Sequence, residues 1–537
     1  MPRTLIIGAG HNGLVCANYL AAAGHHVTVI ERAPIPGGCT FTEEIFPGYR
    51  FNTGAIELEG MVHSGVDREL GLEAHGLKWV RTNHLLAAHI ANRTALFHRD
   101  LSATLDGFRR EFGAKEAEEW SRFATFASAV MSSVGSLQHV KAGGLGGISD
   151  ILDRLGDFGG DVEGLLRTVL APACVVIDEW VSSPEMRAAA AAFSSHPQMP
   201  PWAPGSGLLA CLLASSHGGQ GARPLGGTGE LIEALLKALA ARAGEVKCGS
   251  PVREIRMRSG RVLGVALDSG VEIEADNVVS TIDVKRVAGM LPQEFLTAPW
   301  RKAVAGSHSG LFNVGEIKVD AALDRPPVFR GETPEFAGSL KYLMHAPDAY
   351  VSAMRIVTGG RMPAPLPLMV VIPSADDPSQ CPPGKATLWA SAFVPAICAE
   401  GVGWPGSNDA AADKVFETLE RFAPGITSSV IGRKVTGPAD WEARLGNRAG
   451  NPNHLDMTID QLFSLRPAPG FSRYRTPVLG LYLSGAGTHP GGGVHGMPGK
   501  LAAAAVLGDE RGEKVASDRP SLLALGKTAW RLRKMLN

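Results

Sequence analysis

The sequence lacks neighbouring cysteine pairs. Its seven cysteines, Cys16, Cys39, Cys174, Cys211, Cys248, Cys381 and Cys398, are odd in number and irregularly spaced. No two form C-x-x-C. That excludes a disulfide framework, a finger-type zinc site and the redox-active disulfide of disulfide reductases, and no metal site is expected. Scattered thiols fit a reducing, cytoplasmic compartment, where they act as small apolar residues. An excess of one charge is also missing. Lys plus Arg is 52 and Asp plus Glu is 53, a net charge of −1. No global field draws such a chain to nucleic acid or acidic lipid. Aromatic residues are only 6%. Long apolar runs are absent too. The longest weakly charged stretch, Ala386 to Ala399, contains Pro395, is too short to span a bilayer and reads as a buried strand running into a loop. There is no internal repeat and no low-complexity linker. Gly143 to Gly147 is the loosest spot and reads as a flexible loop.

What is present in excess is glycine, 65 of 537 residues, well above the usual share of about 7%. A chain of this length forms two or three packed regions, and 45% apolar residues supply their cores. The glycine has no period of three, so it marks places where backbone turns sharply or approaches a ligand.

The first such place is at the N-terminus. Thr4 to Ile7 reads as a strand, Gly8-Ala9-Gly10-His11-Asn12-Gly13 as a turn, Leu14 to Ala23 as a helix, and Val27 to Ile30 as a second strand closed by Glu31. This is G-x-G-x-x-G between strand and helix, with an acid at the expected distance, rather than a leader peptide. Gly8 makes the tight turn, Gly10 lets backbone approach a pyrophosphate, and Gly13 lets helix pack on strand. The helix N-terminus offers N–H groups to phosphate. Glu31 accepts hydrogen bonds from ribose hydroxyls and repels a 2′-phosphate. The Gly37-Gly38 pair follows, then Cys39. Flavoproteins of the glutathione-reductase-like class show this second glycine pair, often with Arg or Lys after it. Cys39 departs from that pattern and reads as a space-filling residue, with a catalytic thiol as the alternative.

The second place is near the C-terminus. A strand, Gly480 to Ser484, runs into a long glycine loop, Gly485 to Gly499, and then an alanine-rich helix. Gly499-Lys500 lacks the other residues of an ATP-binding phosphate loop. "LYLSGAGTHPGGGVHGMPG" here resembles the C-terminal FAD motif of the phytoene desaturase-like flavoproteins. That group includes carotenoid desaturases and isomerases and the related pyridine nucleotide-disulfide oxidoreductase domain proteins. Three more stretches resemble it in the same order: "FNTGA" from Phe51, "RPLGGTGELIEALLKAL" from Arg223 and "NPNHLDMTIDQLFSLRP" from Asn451. The resemblance covers residues 3 to 510, most weakly over 75–215 and 300–435.

The resemblance implies an α/β fold: a glutathione-reductase-like FAD-binding Rossmann domain with an inserted α+β substrate domain. Its FAD-binding segments would be 1–75, 222–300 and 441–512. The substrate domain would have a helical part, 76–221, and a strand-rich part, 301–440, with a tail at 513–537. Gly8, Gly10, Gly13, Glu31, Gly37 and Gly38 would hold the ADP half of FAD. Val252 would meet the adenine, Gly487 the pyrophosphate and ribityl end, and Gly493 to Met497 the flavin ring. No second dinucleotide turn supports resident NAD(P), and no cysteine follows Cys398 to form a covalent flavin link in this loop.

A flavin desaturase asks its protein to orient substrate and to assist with a proton. His489 and His495 in the glycine loop and His454 in the polar stretch are the expected catalytic residues; each has a bracing role as its alternative. Glu57 and Glu59 read as solvated or capping groups. His196 and Trp202, in a Pro-rich loop, read as residues that border the pocket. The expected activity is flavin-dependent desaturation or other oxidation of a hydrophobic small molecule, a carotenoid or smaller isoprenoid, with oxygen or a quinone as electron acceptor. Rival readings are double-bond isomerisation, amine or amino-acid oxidation with Arg466 as the motif-borne carboxylate ligand, and a flavin-bound assembly protein without turnover. The tail from Ser521 to Asn537 patterns as a basic amphipathic helix that would touch a membrane or a partner, but Arg533 falls in its apolar sector and a solvated helix is preferred.

Overall fold

Two apolar runs, Arg3–Ile7 and His26–Ile30, form neighbouring parallel strands, each buried after its first residue. The helix His11–Ala22 makes the crossover that parallel pairing requires. It begins three residues earlier than the sequence suggests, because Gly10 is the last extended residue (φ −72°, ψ 171°). The computed structural model describes residues 1–135, 162–219, 221–292, 294, 296–399, 408–469 and 471–513. The Gly143 to Gly147 loop and the tail from Ser521 lie outside the described residues.

These strands belong to a five-stranded, all-parallel sheet. Its order is Leu481–Leu483, Asn277–Ser280, Arg3–Ile7, His26–Ile30, Glu245–Lys247. Alternation along the strands sends side chains to two different cores. Ile6, Val27, Val29 and Val279 pack under the helices His11–Ala22, Gly229–Ala240 and Met497–Glu510. Leu5, Ile7, Val278 and Leu481 pack against a three-stranded antiparallel sheet, Val252–Arg258, Arg261–Leu267 and Glu272–Glu274. The turns between those three strands fall at Ser259-Gly260 and Ser269-Gly270, as the sequence suggests. Asn277–Ser280 leaves that meander for the parallel sheet. The result is a Rossmann-type fold assembled from three distant stretches of chain.

A seven-stranded mixed sheet lies in the remainder. Its order is Val430–Thr436, Val314–Leu323, Ala386–Pro395, Leu368–Val371, Leu340–Met344, His84–Ile90, Arg93–His98. The stretch 76–221, read as helical, thus also supplies two strands, and His84–Ile90 pairs in parallel with Leu340–Met344. Its seven residues are all buried, which tells why the run does not show helical amphipathicity. One face of the sheet packs on helix Asn408–Phe422. The other meets the helices between Leu101 and Ser215. No helix among the described residues is long and apolar enough to cross a membrane.

Candidate functional site

A cavity of about 480 Å³ lies between the two sheets and is lined from both. At one end is the N-terminal glycine turn. Gly8 has φ +102°, and its N–H donates to the Ile30 carbonyl at 2.8 Å. A Cβ on Gly13 would stand 2.0 Å from the Gly8 carbonyl oxygen, so no other residue fits there. The Gly37 N–H donates to the Ala9 carbonyl at 2.9 Å, which brings the second glycine pair onto the first turn. Glu31 accepts from the Ala9 N–H and the Ala33 N–H, both at 2.8 Å. No side chain caps the helix that starts at His11, and Gly10, His11, Asn12 and Gly13 line the cavity. The positive end of the helix therefore faces the cavity with amides to offer. Gly8, Glu31, Gly38 and Val252 line it as well.

Three guanidinium groups that the sequence reading did not single out for this site meet here. Arg32, Arg286 and Arg444 all line the cavity. Arg32 donates to the carbonyls of Ala443 and Arg444, and the Arg444 guanidinium lies over the Phe41 ring. Burial, reinforced by Arg32, lowers the pKa of Arg286. They come from three separate segments, so no local pattern announces them. They supply positive charge where the pattern of the second glycine pair would place Arg or Lys. Cys39 itself lines the cavity, and burial pushes its thiol up to about 11, which leaves it protonated.

At the glycine loop, Gly485, Ala486, Gly493 and Val494 reach the cavity. Met497 does not line it; it starts the helix Met497–Glu510 and is buried in the core beneath it. Gly487 instead faces His454, whose ring would lie 3.4 Å from a Cβ at that position. Among the three expected histidines, only His454 lines the cavity. Its Nδ1 has no hydrogen-bond partner, and burial next to Arg466 and His11 lowers its pKa to about 3, so the ring is neutral. His495 is a brace: its Nδ1 accepts from the Met497 N–H at 3.2 Å and its Nε2 contacts the Gly492 carbonyl at 3.1 Å. The helix start needs an acceptor, and the glycines around it have none. His489 is buried outside the cavity lining, and its carbonyl accepts the Tyr474 hydroxyl at 2.8 Å.

Arg466 is not a carboxylate ligand. Fully buried, it donates to the carbonyls of Ala486, Asp456, Gln461, Asn453 and Leu455. Glu57 and Glu59 are half-buried ion-pair partners rather than free surface groups, and Glu57 lines the cavity. Glu57 pairs with Arg223, and Glu59 pairs with Arg99. His196 lines the cavity and sits 2.7 Å from the Tyr342 hydroxyl; Trp202 lies outside the lining, under Arg355.

The far wall is built by two strands in full antiparallel register, Val314–Leu323 and Ala386–Pro395. Glu316 is opposite Phe393, Lys318 opposite Ser391, and Asp320 opposite Trp389. Residues opposite one another share a face, and the alternate residues Ile317, Val319 and Ala321 belong to the core on the other side. Lys318 donates to both oxygens of Asp320 at 2.5 Å and to the Asn52 carbonyl at 2.9 Å. Glu316, Lys318, Trp389 and Phe393 line the cavity with Ile56, Leu340 and Met369. Three charges at alternate positions of an apolar strand are the signal from which these residues could have been found.

The donor set suits a flavin dinucleotide. Close-packed glycines and a bare helix N-terminus can take a pyrophosphate, Glu31 can take ribose hydroxyls, and the unpartnered Asn12 Oδ1 and His454 Nδ1 await polar ligand atoms. The pattern of the flavin containing amine oxidoreductases matches residues 13–507. A rat (Rattus norvegicus) protein, pyridine nucleotide-disulfide oxidoreductase domain-containing protein 2, is 31% identical, covering 94% of this chain and 93% of its own. The lycopene-forming phytoene desaturase of Pseudescherichia vulneris is 25% identical over 94% of this chain and 99% of its own. Among solved structures, putrescine oxidase bound to putrescine superposes with a TM-score of 0.62 at 17% identity, over 95% of this chain and 99% of that one. The chain belongs to the flavin containing amine oxidoreductase family and is an FAD-dependent oxidoreductase.

Proposed function

We propose that this enzyme oxidises a hydrophobic substrate of the isoprenoid class, a carotenoid or a smaller terpene, with oxygen or a quinone as the final electron acceptor. The observation that carries this reading is the far wall of the cavity, where Ile56, Leu340, Met369, Trp389 and Phe393 present apolar and aromatic surface. The phytoene desaturase relative supports it. Bound FAD supplies the hydride acceptor. Gly8, Gly10, Gly13, Glu31, Gly37, Gly38 and Val252 hold its adenine half, and Arg286 and Arg444 offset phosphate charge. Gly487 and Gly493 shape the loop over its other half. His454, neutral and unpartnered at Nδ1, positions a polar atom there. The apolar wall binds the substrate and excludes water from the reacting carbon.

Anaerobic titration of the purified yellow holoprotein tests this. An isoprenoid should bleach the flavin absorbance, and air or a quinone should restore it. Bleaching by amines alone would assign amine oxidation instead. Bleaching by NADH alone, without any isoprenoid effect, would overturn the reading. Double-bond rearrangement without bleaching would assign an isomerase.

A further inference from the structure

We propose that Glu316 recognises one oxygen-bearing head group on an otherwise apolar substrate. This rests on the hydrophobic-substrate reading and narrows it. The far wall is not uniformly apolar, since its two strands place Glu316, Lys318 and Asp320 on a single face. Lys318 is committed to Asp320, which closes that pair as a neutral unit. Glu316 is left with one hydrogen bond, from the Ser391 hydroxyl to Oε1. Its other oxygen, Oε2, has no protein partner among the described residues. The carboxyl lines the cavity beside Phe393.

A carboxyl in this setting is biased toward its protonated form, because no cation is dedicated to it and burial disfavours the charged form. Burial does raise its pKa, against the lowering effects of Ser391 and Lys318. The titratable groups coupled to it are Lys318 on its own strand, whose charge lowers its pKa, and Cys39 beside the second glycine pair and Tyr350 on the helix Ala349–Thr358, whose pKa values a Glu316 carboxylate raises and which stay uncharged. Since Oε1 accepts from Ser391, a proton held by this carboxyl would sit on Oε2 and be donated into the cavity. A bare hydrocarbon would leave that O–H unsatisfied against apolar walls. A hydroxyl, aldehyde, ketone or ether oxygen would accept it. The substrate class is therefore an apolar molecule with one uncharged acceptor oxygen, and an isoprenoid alcohol or carbonyl compound fits better than its parent hydrocarbon.

The test uses the holoenzyme and a matched pair of probes, farnesol and farnesene, with binding read from perturbation of the flavin spectrum. Wild type should bind the alcohol about tenfold more tightly, the worth of one well-made buried hydrogen bond. Glu316→Gln keeps a donor and should keep the preference. Glu316→Leu should abolish or reverse it. The infrared spectrum should show a protonated carboxylic acid band in wild type that Glu316→Gln removes, a readout that needs no turnover and holds if Glu316→Leu does not fold. Equal affinities in wild type, an unchanged preference in Glu316→Leu, or no acid band would overturn the assignment of Glu316 while leaving the hydrophobic-substrate reading standing. If neither probe perturbs the flavin and amines do, that broader reading fails instead.

Discussion

Arg466 donates to the Ala486 carbonyl through both Nε, at 3.0 Å, and Nη2, at 2.8 Å. This ties the polar stretch from Asn451 to the glycine loop that begins at Gly485. The same guanidinium fills four more carbonyls of its own stretch. Its planar fork aims N–H donors at carbonyl acceptors over a wider span than one ammonium can cover. Arg466→Met strands those buried acceptors and should cost about 3–5 kcal/mol. Arg466→Lys should recover only a minor part. Denaturant unfolding measures both, and flavin content should fall with stability, because the loop that is anchored lines the cavity.

Gly13 tests the close approach of helix to strand. A methyl group there would overlap the Gly8 carbonyl, which is 2.0 Å from the Cβ position. Backbone cannot yield as a flexible side chain can, so Gly13→Ala should cost about 3 kcal/mol, the upper end of overpacking penalties. The ratio of flavin to protein absorbance should drop sharply. Gly107 is the control. It lies inside the helix Leu101–Glu111 with nothing within 4 Å of its Cβ position. Gly107→Ala should stabilise by about 0.5–1 kcal/mol and leave flavin content unchanged.

Much of the parallel sheet and its glycine turn was legible because those features are local. Strand, turn, helix and Glu31 follow within about thirty residues, and each glycine has a steric reason at its own position. The far wall was not legible in the same way. Glu316 and Phe393 become neighbours only through the register of two strands with two other strands and a helix between them in the chain. The arginines at the glycine turn come together from 32, 286 and 444 for the same reason. Composition also misled locally. His489 and His495 lie in the most glycine-rich loop, yet the His495 ring braces the helix start, His489 is tied in through its carbonyl, and the cavity receives His454 from another stretch.

His454 makes a measurable contribution to acid sensitivity. Its folded pKa of about 3 lies below the ordinary 6.5, with burial as the main cause. Below about pH 6.5 the unfolded chain binds a proton that the native ring refuses, so stability falls as pH falls toward 3 and is fully present above 6.5. Between about pH 6 and 4 one such ring steepens the loss by about 1.4 kcal/mol per pH unit. Asn tolerates the left-handed backbone found at His454, where φ is +63°. His454→Asn should therefore fold at pH 7 and show a flatter decline of unfolding free energy at pH 6, 5 and 4. An unchanged slope would mean that the native ring accepts the proton freely.

The Lys318–Asp320 pair separates the value of a buried ion pair from the cost of breaking it. Both side chains are about 1% exposed. Lys318→Met leaves the Asp320 carboxylate without its cation and the Asn52 carbonyl without its donor, which should cost about 3–5 kcal/mol. Asp320→Leu strands the ammonium and should cost a similar amount. The double variant removes both charges from a face already flanked by Trp389, so the losses should not add. We expect it to be more stable than either single variant by at least about 2 kcal/mol. Denaturant unfolding of the four proteins at pH 7 gives the coupling directly. Additive losses would mean that the two groups are held by other partners, and Lys318 would then be free to serve Glu316, as a charged carboxylate there would require.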